Sequence, residues 1–91
     1  MTTHCRTMEI VNIKGLHARA SAKLAELVEA HEADATVRFD GGQATADSIM
    51  GLLMLAASKG SLIEVETSGP DATALIEAIE TLVADKFGEA D

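Results

Sequence analysis

The sequence has no tryptophan or tyrosine, and it holds only two phenylalanines, one proline and one cysteine among 91 residues. With so few aromatic rings, a hydrophobic core must be built from leucine, isoleucine, valine, methionine and alanine. The single cysteine, Cys5, cannot form a disulfide within the chain, which is typical of proteins from the reducing cytoplasm. A chain of this length is long enough for one domain with a modest core.

Positive charge is also scarce, because seven lysines and arginines face fifteen aspartates and glutamates, for a net charge of −8. Without a basic patch, we expect no binding to nucleic acid or to anionic membranes. No apolar run approaches the ~20 residues of a membrane span, and no signal-peptide pattern opens the chain, so we expect a cytoplasmic protein without membrane insertion. His4 and Cys5 do not supply a four-ligand site, so we expect no metal and no other cofactor.

Hydrophobic periodicity predicts a single α+β domain with the element order β-α-β-β-α-β-α. The predicted strands cover residues 7–13, 35–39, 43–46 and 62–67, and the predicted helices cover residues 18–31, 48–58 and 70–87. This order is typical of helices that cover one face of a mostly antiparallel sheet. We expect residues 1–6 and 88–91 to be flexible termini.

The most informative stretch is GLHARASAK, residues 15–23, which joins the first strand to the first helix. Gly15 allows a tight turn, so the helix is predicted to begin near His17 or Ala18. The first amides of a helix have no acceptor within it and favour an anion, and phosphate is a natural occupant beside Ala18 and Arg19. The imidazole of His17 can act as a nucleophile, and the planar guanidinium of Arg19 suits phosphoryl oxygens.

A different interpretation of His17 follows from the helical wheel. His17 falls on the same stripe as Ala20, Leu24 and Val28, so its ring could be a half-buried packing residue. Spacing alone favours this packing role, because one histidine at the start of a helix is weak evidence of chemistry.

The second predicted helix is apolar over about two-thirds of its circumference, more than one sheet can cover. Ile49, Met50, Leu53 and Met54 are therefore expected to form an exposed apolar surface for a partner protein, to which flexible methionines are suited. The alternative is that Met50 and Met54 fill the core. Ser48 is a good N-cap for this helix.

Two motifs resemble those of the HPr family of phosphocarriers. GLHARASAK resembles the family's active-site signature, usually GLHARPA, and SIMGLL at residues 48–53 resembles its second signature at the family's spacing. The resemblance implies that His17 is the phosphorylated residue, that Arg19 lies beside the phosphoryl group and that Ser48 is a regulatory phosphorylation site. Ala20 stands where the family usually has proline, which bears on local rigidity more than on function because alanine also suits a helix.

The resemblance covers nearly the whole chain and implies an open-faced sandwich with strand order 1-4-2-3 and three helices on one face. It also implies a carrier in the phosphoenolpyruvate-dependent phosphotransferase system, which forms a covalent phosphohistidine and depends on partner enzymes. Enzyme I would phosphorylate His17, and an EIIA-type acceptor of the sugar-uptake branch or of the nitrogen-type regulatory branch would remove the group. The second helix would dock these partners, an HPr kinase/phosphorylase could modify Ser48, and we expect the carrier to be a monomer.

Parts of the sequence are also compatible with two other functions. Small size, acidity and the sequence Asp47-Ser48-Ile49 resemble an acyl carrier protein, with phosphopantetheine on Ser48, but acyl carriers are all-helical and the strand-like runs contradict that fold. A regulatory binding module could keep the fold without phosphotransfer. Such a module would need neither His17 nor Arg19, and the presence of both argues against it.

Overall fold

Four strands and three helices follow one another in the order that the hydrophobic pattern predicts. A computed structural model describes residues 3–89. The elements are β1 (Thr3–Glu9), α1 (Ala18–Glu29), β2 (Asp34–Phe39), β3 (Gly42–Thr45), α2 (Ile49–Leu55), β4 (Leu62–Ser68) and α3 (Ala72–Ala84), and a short turn of 3-10 type follows at Lys86–Gly88. None of these helices combines the length and the apolar character needed to cross a membrane.

The strands form one antiparallel sheet in the order β1-β4-β2-β3, which confirms the predicted architecture. Side chains alternate between the two faces of each strand. On the face toward the helices, Val37, Ile63 and Val65 are completely buried. The open-faced sandwich with its helices on one face is therefore confirmed.

The core is aliphatic, as the composition predicts, with one aromatic exception. The largest completely buried side chains include Ile10, Leu24, Leu52, Leu75 and Ile79. Phe87 is also buried, with 1% of its surface exposed. These residues come from every helix and from both ends of the chain, so the core holds the start of α1, the end of α2 and the C-terminal turn in fixed relative positions.

The opposite face of the sheet carries charge that is paired within the sheet. Arg38 on β2 donates to Glu64 at 3.1 Å and to Glu66 at 2.9 Å, both on β4. The hydrogen bonds that Arg38 donates to Glu66 and then to Glu64 raise the pKa of Arg38. Because these groups are exposed, they contribute little to stability and mainly reinforce the pairing of the two strands.

The position of β1 corrects the sequence prediction. The strand begins at Thr3 and ends at Glu9, whereas residues 7–13 were expected, and residues 3–6 pair with β4 although they were expected to belong to a flexible terminus. The sequence does not show the apolar–polar alternation of a strand over these residues, because the side chains on the inward face are polar. His4 bonds to Thr73 at 2.7 Å and Arg6 to Glu80 at 2.9 Å, both on α3. Residues 1 and 2 lie outside the described residues.

The second helix is shorter than predicted, since it ends at Leu55 and not at residue 58. Ala56 takes a left-handed conformation with φ 55°. The carbonyl of Ala57 then accepts the N–H of Leu16 at 2.9 Å, and the N–H of Gly60 donates to the carbonyl of Ile10 at 2.7 Å. The backbone after α2 therefore bonds to the loop that leads into α1, and these contacts replace further helical turns.

Candidate functional site

A glycine fixes how the chain enters α1. Gly15 has φ 65°, and a Cβ atom there would lie 2.5 Å from the carbonyl oxygen of Ala57. Only glycine combines this backbone conformation with so close an approach. The side chain of Leu16, 3% exposed, packs into the core just before the helix. The first turn of α1 is thus fixed against the segment that follows α2.

His17 is the N-cap residue of α1, with an extended backbone at φ −77° and ψ −178°. Its carbonyl accepts the N–H of Ser21 at 2.9 Å, but its side chain makes no capping hydrogen bond. The amides of Ala18 and Arg19 therefore have no acceptor within the helix and lie at its positive end. The sequence predicts an uncapped helix start of this kind, whose free amides favour an anion.

The imidazole of His17 is accessible, with 27% of its side chain exposed. It lines an open depression of about 410 Å³ together with Lys14, Ala18, Arg19 and Glu89. We refer to these five residues as the His17 depression. The ring is half-buried, as the packing interpretation allows, but it lines this depression and is not enclosed in the aliphatic core.

The core stripe of α1 instead consists of the residues that follow His17 along the helix. Ala20 and Leu24 are completely buried, and Val28 is 5% exposed. Ala20, which stands in place of the family's usual proline, lies inside the first turn without interrupting α1.

Two cations border the His17 depression. Arg19 is exposed, and its guanidinium has no hydrogen-bond or ion-pair partner among residues 3–89, so its donors are available to an anion. Lys14 is also exposed and lies beside it. Sequence reasoning did not single out Lys14, although its place immediately before the Gly15 turn is a signal that could have identified it.

The structure adds an acidic residue that the sequence analysis missed. Oε2 of Glu89 bonds to Nε2 of His17, and Oε1 of Glu89 accepts from Nδ2 of Asn12 at 3.1 Å. Residues 88–91 were expected to be a flexible terminus; Gly88 and Glu89 make the hydrogen bonds described here, and residues 90 and 91 lie outside the described residues. The available signal was that Phe87, the last residue of the predicted stripe, is followed by a glycine and a carboxylate.

The two nitrogens of the imidazole have different surroundings. Nε2 is engaged by Glu89. Within residues 3–89, Nδ1 has no hydrogen-bond partner. One nitrogen is thus held in place by a carboxylate, and the other is unengaged.

The start of α2 forms the second part of the predicted site. Oγ of Ser48 accepts the N–H of Gly51 at 3.1 Å, so Ser48 is the N-cap that the sequence predicts. Met50 and Met54 are 68% and 80% exposed, so the alternative that they fill the core is wrong. Ile49 is 41% exposed and Leu53 is half-buried.

We call Ile49, Met50, Leu53 and Met54 the α2 patch. The helix that carries it packs beside α1, which begins at the His17 depression. The structure therefore places an exposed apolar surface next to the element that holds His17.

Residues 3–89 contain no group of three or more histidine, cysteine or acidic side chains that could hold a metal ion. Cys5 is exposed on β1, and the neighbouring His4 bonds to Thr73. The described residues thus offer the His17 depression and the α2 patch as candidate sites.

Comparison with known proteins identifies the family. The model of the PTS HPr component phosphorylation site matches residues 4–85. The chain belongs to the HPr family. It is 44% identical to phosphocarrier protein HPr of Cupriavidus necator over 86 residues, and these residues make up 94% of this chain and 97% of that protein. It is 41% identical over 85 residues to phosphocarrier protein NPr of Escherichia coli K12, which covers 92% of this chain and 94% of that protein.

Solved structures agree with this assignment. HPr-C-His from Thermoanaerobacter tengcongensis superposes with a TM-score of 0.91 at 33% identity, over 97% of this chain and 99% of that one. Phosphocarrier protein HPr from Bacillus anthracis gives a TM-score of 0.86 at 31% identity, over 91% and 99% of the two chains. The curated relatives are named phosphocarrier proteins, which supports a carrier role in the phosphotransferase system for this chain. The four-stranded sheet excludes the all-helical acyl carrier fold.

Proposed function

We propose that this protein is a cytoplasmic, monomeric phosphocarrier that accepts a phosphoryl group on His17 from phosphorylated enzyme I and passes it to an EIIA-type acceptor. The observation that supports this most directly is the accessible imidazole at the uncapped start of α1, beside an arginine without a partner among residues 3–89. A binding module would need neither group.

The nucleophile in this proposal is Nδ1 of His17. Nε2 is engaged by Glu89, so the lone pair available for attack is on Nδ1. The N–P bond forms as the bond between phosphorus and enzyme I breaks, and the electron pair of that bond stays with enzyme I. The reverse exchange, with the acceptor's nucleophile in place of His17, releases the group.

Positive groups around the ring stabilise the transferred charge. The amides of Ala18 and Arg19 and the guanidinium of Arg19 are suited to the phosphoryl oxygens, and Lys14 adds a second cation. The depression is open, so an incoming nucleophile can approach in line with the bond that breaks. A relay needs this combination of moderate stabilisation and open access.

Docking of both partners is assigned to the α2 patch. Its exposed methionines are flexible and can fit two different protein surfaces in turn. Ser48 lies at the start of the same helix, next to Asp47. Phosphorylation of Ser48 by an HPr kinase/phosphorylase would add about two negative charges there and weaken docking through repulsion and desolvation.

The test is incubation with phosphoenolpyruvate and enzyme I, followed by intact-mass measurement and localisation of the modified residue. We expect the wild type to gain one phosphoryl group and His17→Ala to gain none. His31→Ala is the matched control, because His31 lies at the other end of α1 with its ring bonded to the carbonyl of Leu27 at 2.8 Å. A wild type that stays unmodified would leave a regulatory binding module as the better account.

A further inference from the structure

The contact between Glu89 and His17 is part of a connected set of hydrogen bonds. Nδ2 of Asn12 donates to Oε1 of Glu89 at 3.1 Å and to the carbonyl of Gly15 at 2.8 Å. Asn12 is completely buried, and only 17% of the Glu89 side chain is exposed. The buried amide thus links the carboxylate to the same turn that positions His17.

The backbone that carries Glu89 is held by the core. Phe87 is 1% exposed, and its carbonyl accepts a hydrogen bond from Nζ of Lys23 on α1 at 2.6 Å. Lys86, Phe87 and Gly88 all have positive φ, so the chain turns sharply back toward α1. The N–H of Glu89 closes this turn on the carbonyl of Lys86 at 3.0 Å.

Two of these left-handed residues are not glycine. Such backbone conformations persist only where the surrounding structure imposes them. The position of the Glu89 carboxylate therefore follows from the packing of Phe87 and the hydrogen bond from Lys23 on α1.

We propose that Glu89 is a positioning residue for phosphoryl transfer, which holds His17 in the tautomer with the proton on Nε2 and the lone pair on Nδ1. An ionised carboxylate can only accept hydrogen bonds, so the nitrogen it contacts must carry the proton. A neutral imidazole has one proton, and fixing it on Nε2 leaves Nδ1 free to attack. The carboxylate of a catalytic triad acts on its histidine in the same way. This inference rests on the proposed function of His17.

The carboxylate also matches the charge change of the reaction. When Nδ1 takes the phosphoryl group and the proton stays on Nε2, the ring becomes a cation. Glu89 then pairs with that cation, and no proton leaves the ring in either direction of transfer. A half-buried anion stabilises such a cation more strongly than one surrounded by water.

The first experiment measures the tautomer directly in the unphosphorylated protein. With ¹⁵N-labelled histidine, the chemical shifts of Nδ1 and Nε2 of the neutral ring give the ratio of the two tautomers. We expect the proton on Nε2 in the wild type, and a ratio about tenfold lower in Glu89→Ala, because a hydrogen bond to a charged group is lost. Glu80→Ala is the matched control, since Glu80 is an exposed acid on α3 that pairs with Arg6. An unchanged ratio in Glu89→Ala would overturn the proposal.

The second experiment measures the rate of phosphoryl acceptance from enzyme I. We expect Glu89→Ala to be about tenfold slower than the wild type, and Glu80→Ala to be unchanged. Glu89→Gln keeps the side-chain length and one acceptor oxygen, so it should retain more of the tautomer ratio than Glu89→Ala while still losing rate because the charge is gone. A ratio that changes without any change in rate would overturn the positioning role.

The two proposals can fail separately. If the wild type is not phosphorylated, the proposed function fails, while the shifts of the unphosphorylated ring still report on Glu89. If His17 is phosphorylated and Glu89→Ala has neither effect, only the role of Glu89 fails.

Discussion

A Cβ atom on Gly15 would lie 2.5 Å from the carbonyl oxygen of Ala57, which shows how closely the start of α1 approaches the segment after α2. The hydrogen bond from Leu16 to the same carbonyl spans 2.9 Å. The residues that lead into His17 are thus bonded to the segment that follows the α2 patch. Under the proposed function, a partner docked on α2 would lie close to the imidazole.

Gly15→Ala tests this contact, with Gly41→Ala as its matched control. Both glycines have positive φ, but a Cβ on Gly41 would meet nothing within 4 Å. We expect Gly41→Ala to cost about 1 kcal/mol for the conformation alone. Gly15→Ala should cost roughly 1–3 kcal/mol more, because backbone must move to admit the methyl group. Chemical denaturation measures the free energy of unfolding of both variants. Equal losses of stability would contradict the proposed role of the close approach between Gly15 and Ala57.

Ser48 combines a capping role with a proposed regulatory role, and three variants separate them. Ser48→Ala should lower the free energy of unfolding by about 1 kcal/mol, because the N–H of Gly51 loses its acceptor. Ser48→Asn and Ser48→Asp should both keep the cap. Of these two, only Ser48→Asp adds a negative charge, and it should weaken enzyme I binding by about fivefold. This corresponds to roughly 1 kcal/mol for an interaction between exposed charges. Equal affinities for the two capped variants would argue against a charge switch at this position.

The α2 patch is tested by Met54→Glu. Because Met54 is 80% exposed, we expect the free energy of unfolding to change by less than about 0.5 kcal/mol. Affinity for enzyme I should fall about tenfold, as for loss of a central apolar contact. Leu62→Glu is the control, since Leu62 is 62% exposed at the start of β4, outside the patch. Titration calorimetry measures the affinity of each variant for enzyme I. An equal loss of affinity in both variants would mean that the effect is not specific to α2.

Arg19→Ala should separate function from stability. The guanidinium has no hydrogen-bond or ion-pair partner among residues 3–89, so the free energy of unfolding should change by less than about 0.5 kcal/mol. Phosphoryl acceptance should slow by about tenfold to a hundredfold through loss of charge-assisted hydrogen bonds. Arg19→Lys should recover part of the rate, because an ammonium supplies charge without the planar donors. Arg6→Ala, which removes an arginine paired with Glu80, should transfer at the wild-type rate. If Arg19→Ala also transfers at that rate, the anion site is wrongly assigned.

Much of the fold could be predicted because most elements carry their own signal. The alternation of Ile63, Val65 and Thr67 with acidic residues specifies β4 and its buried face. The edge strand β1 was misplaced because its inward positions hold His4 and Arg6, which reach polar partners on α3 and so hide the period of two. The length of α2 could not be predicted either, since the hydrogen bonds that end it come from the loop before α1.

Part of the candidate site could be predicted from the sequence, and part could not. His17, Arg19 and the Gly15 turn lie within five consecutive residues, so local rules could predict their arrangement. Glu89 is 72 residues from His17 in sequence, and it reaches the ring only through a turn in which Lys86 and Phe87 have positive φ. Backbone preferences disfavour such a turn at these residues, and tertiary contacts explain it, namely the burial of Phe87 and the hydrogen bond from Lys23 to its carbonyl.

The most direct test of the relay follows the phosphoryl group after enzyme I has been removed. Purified phosphorylated protein is mixed with an EIIA-type acceptor from either branch, and intact masses of both proteins are recorded over time. We expect the carrier to lose one phosphoryl group for each group that the acceptor gains, in the absence of phosphoenolpyruvate. Loss of the group to water with no gain on any acceptor would contradict the account.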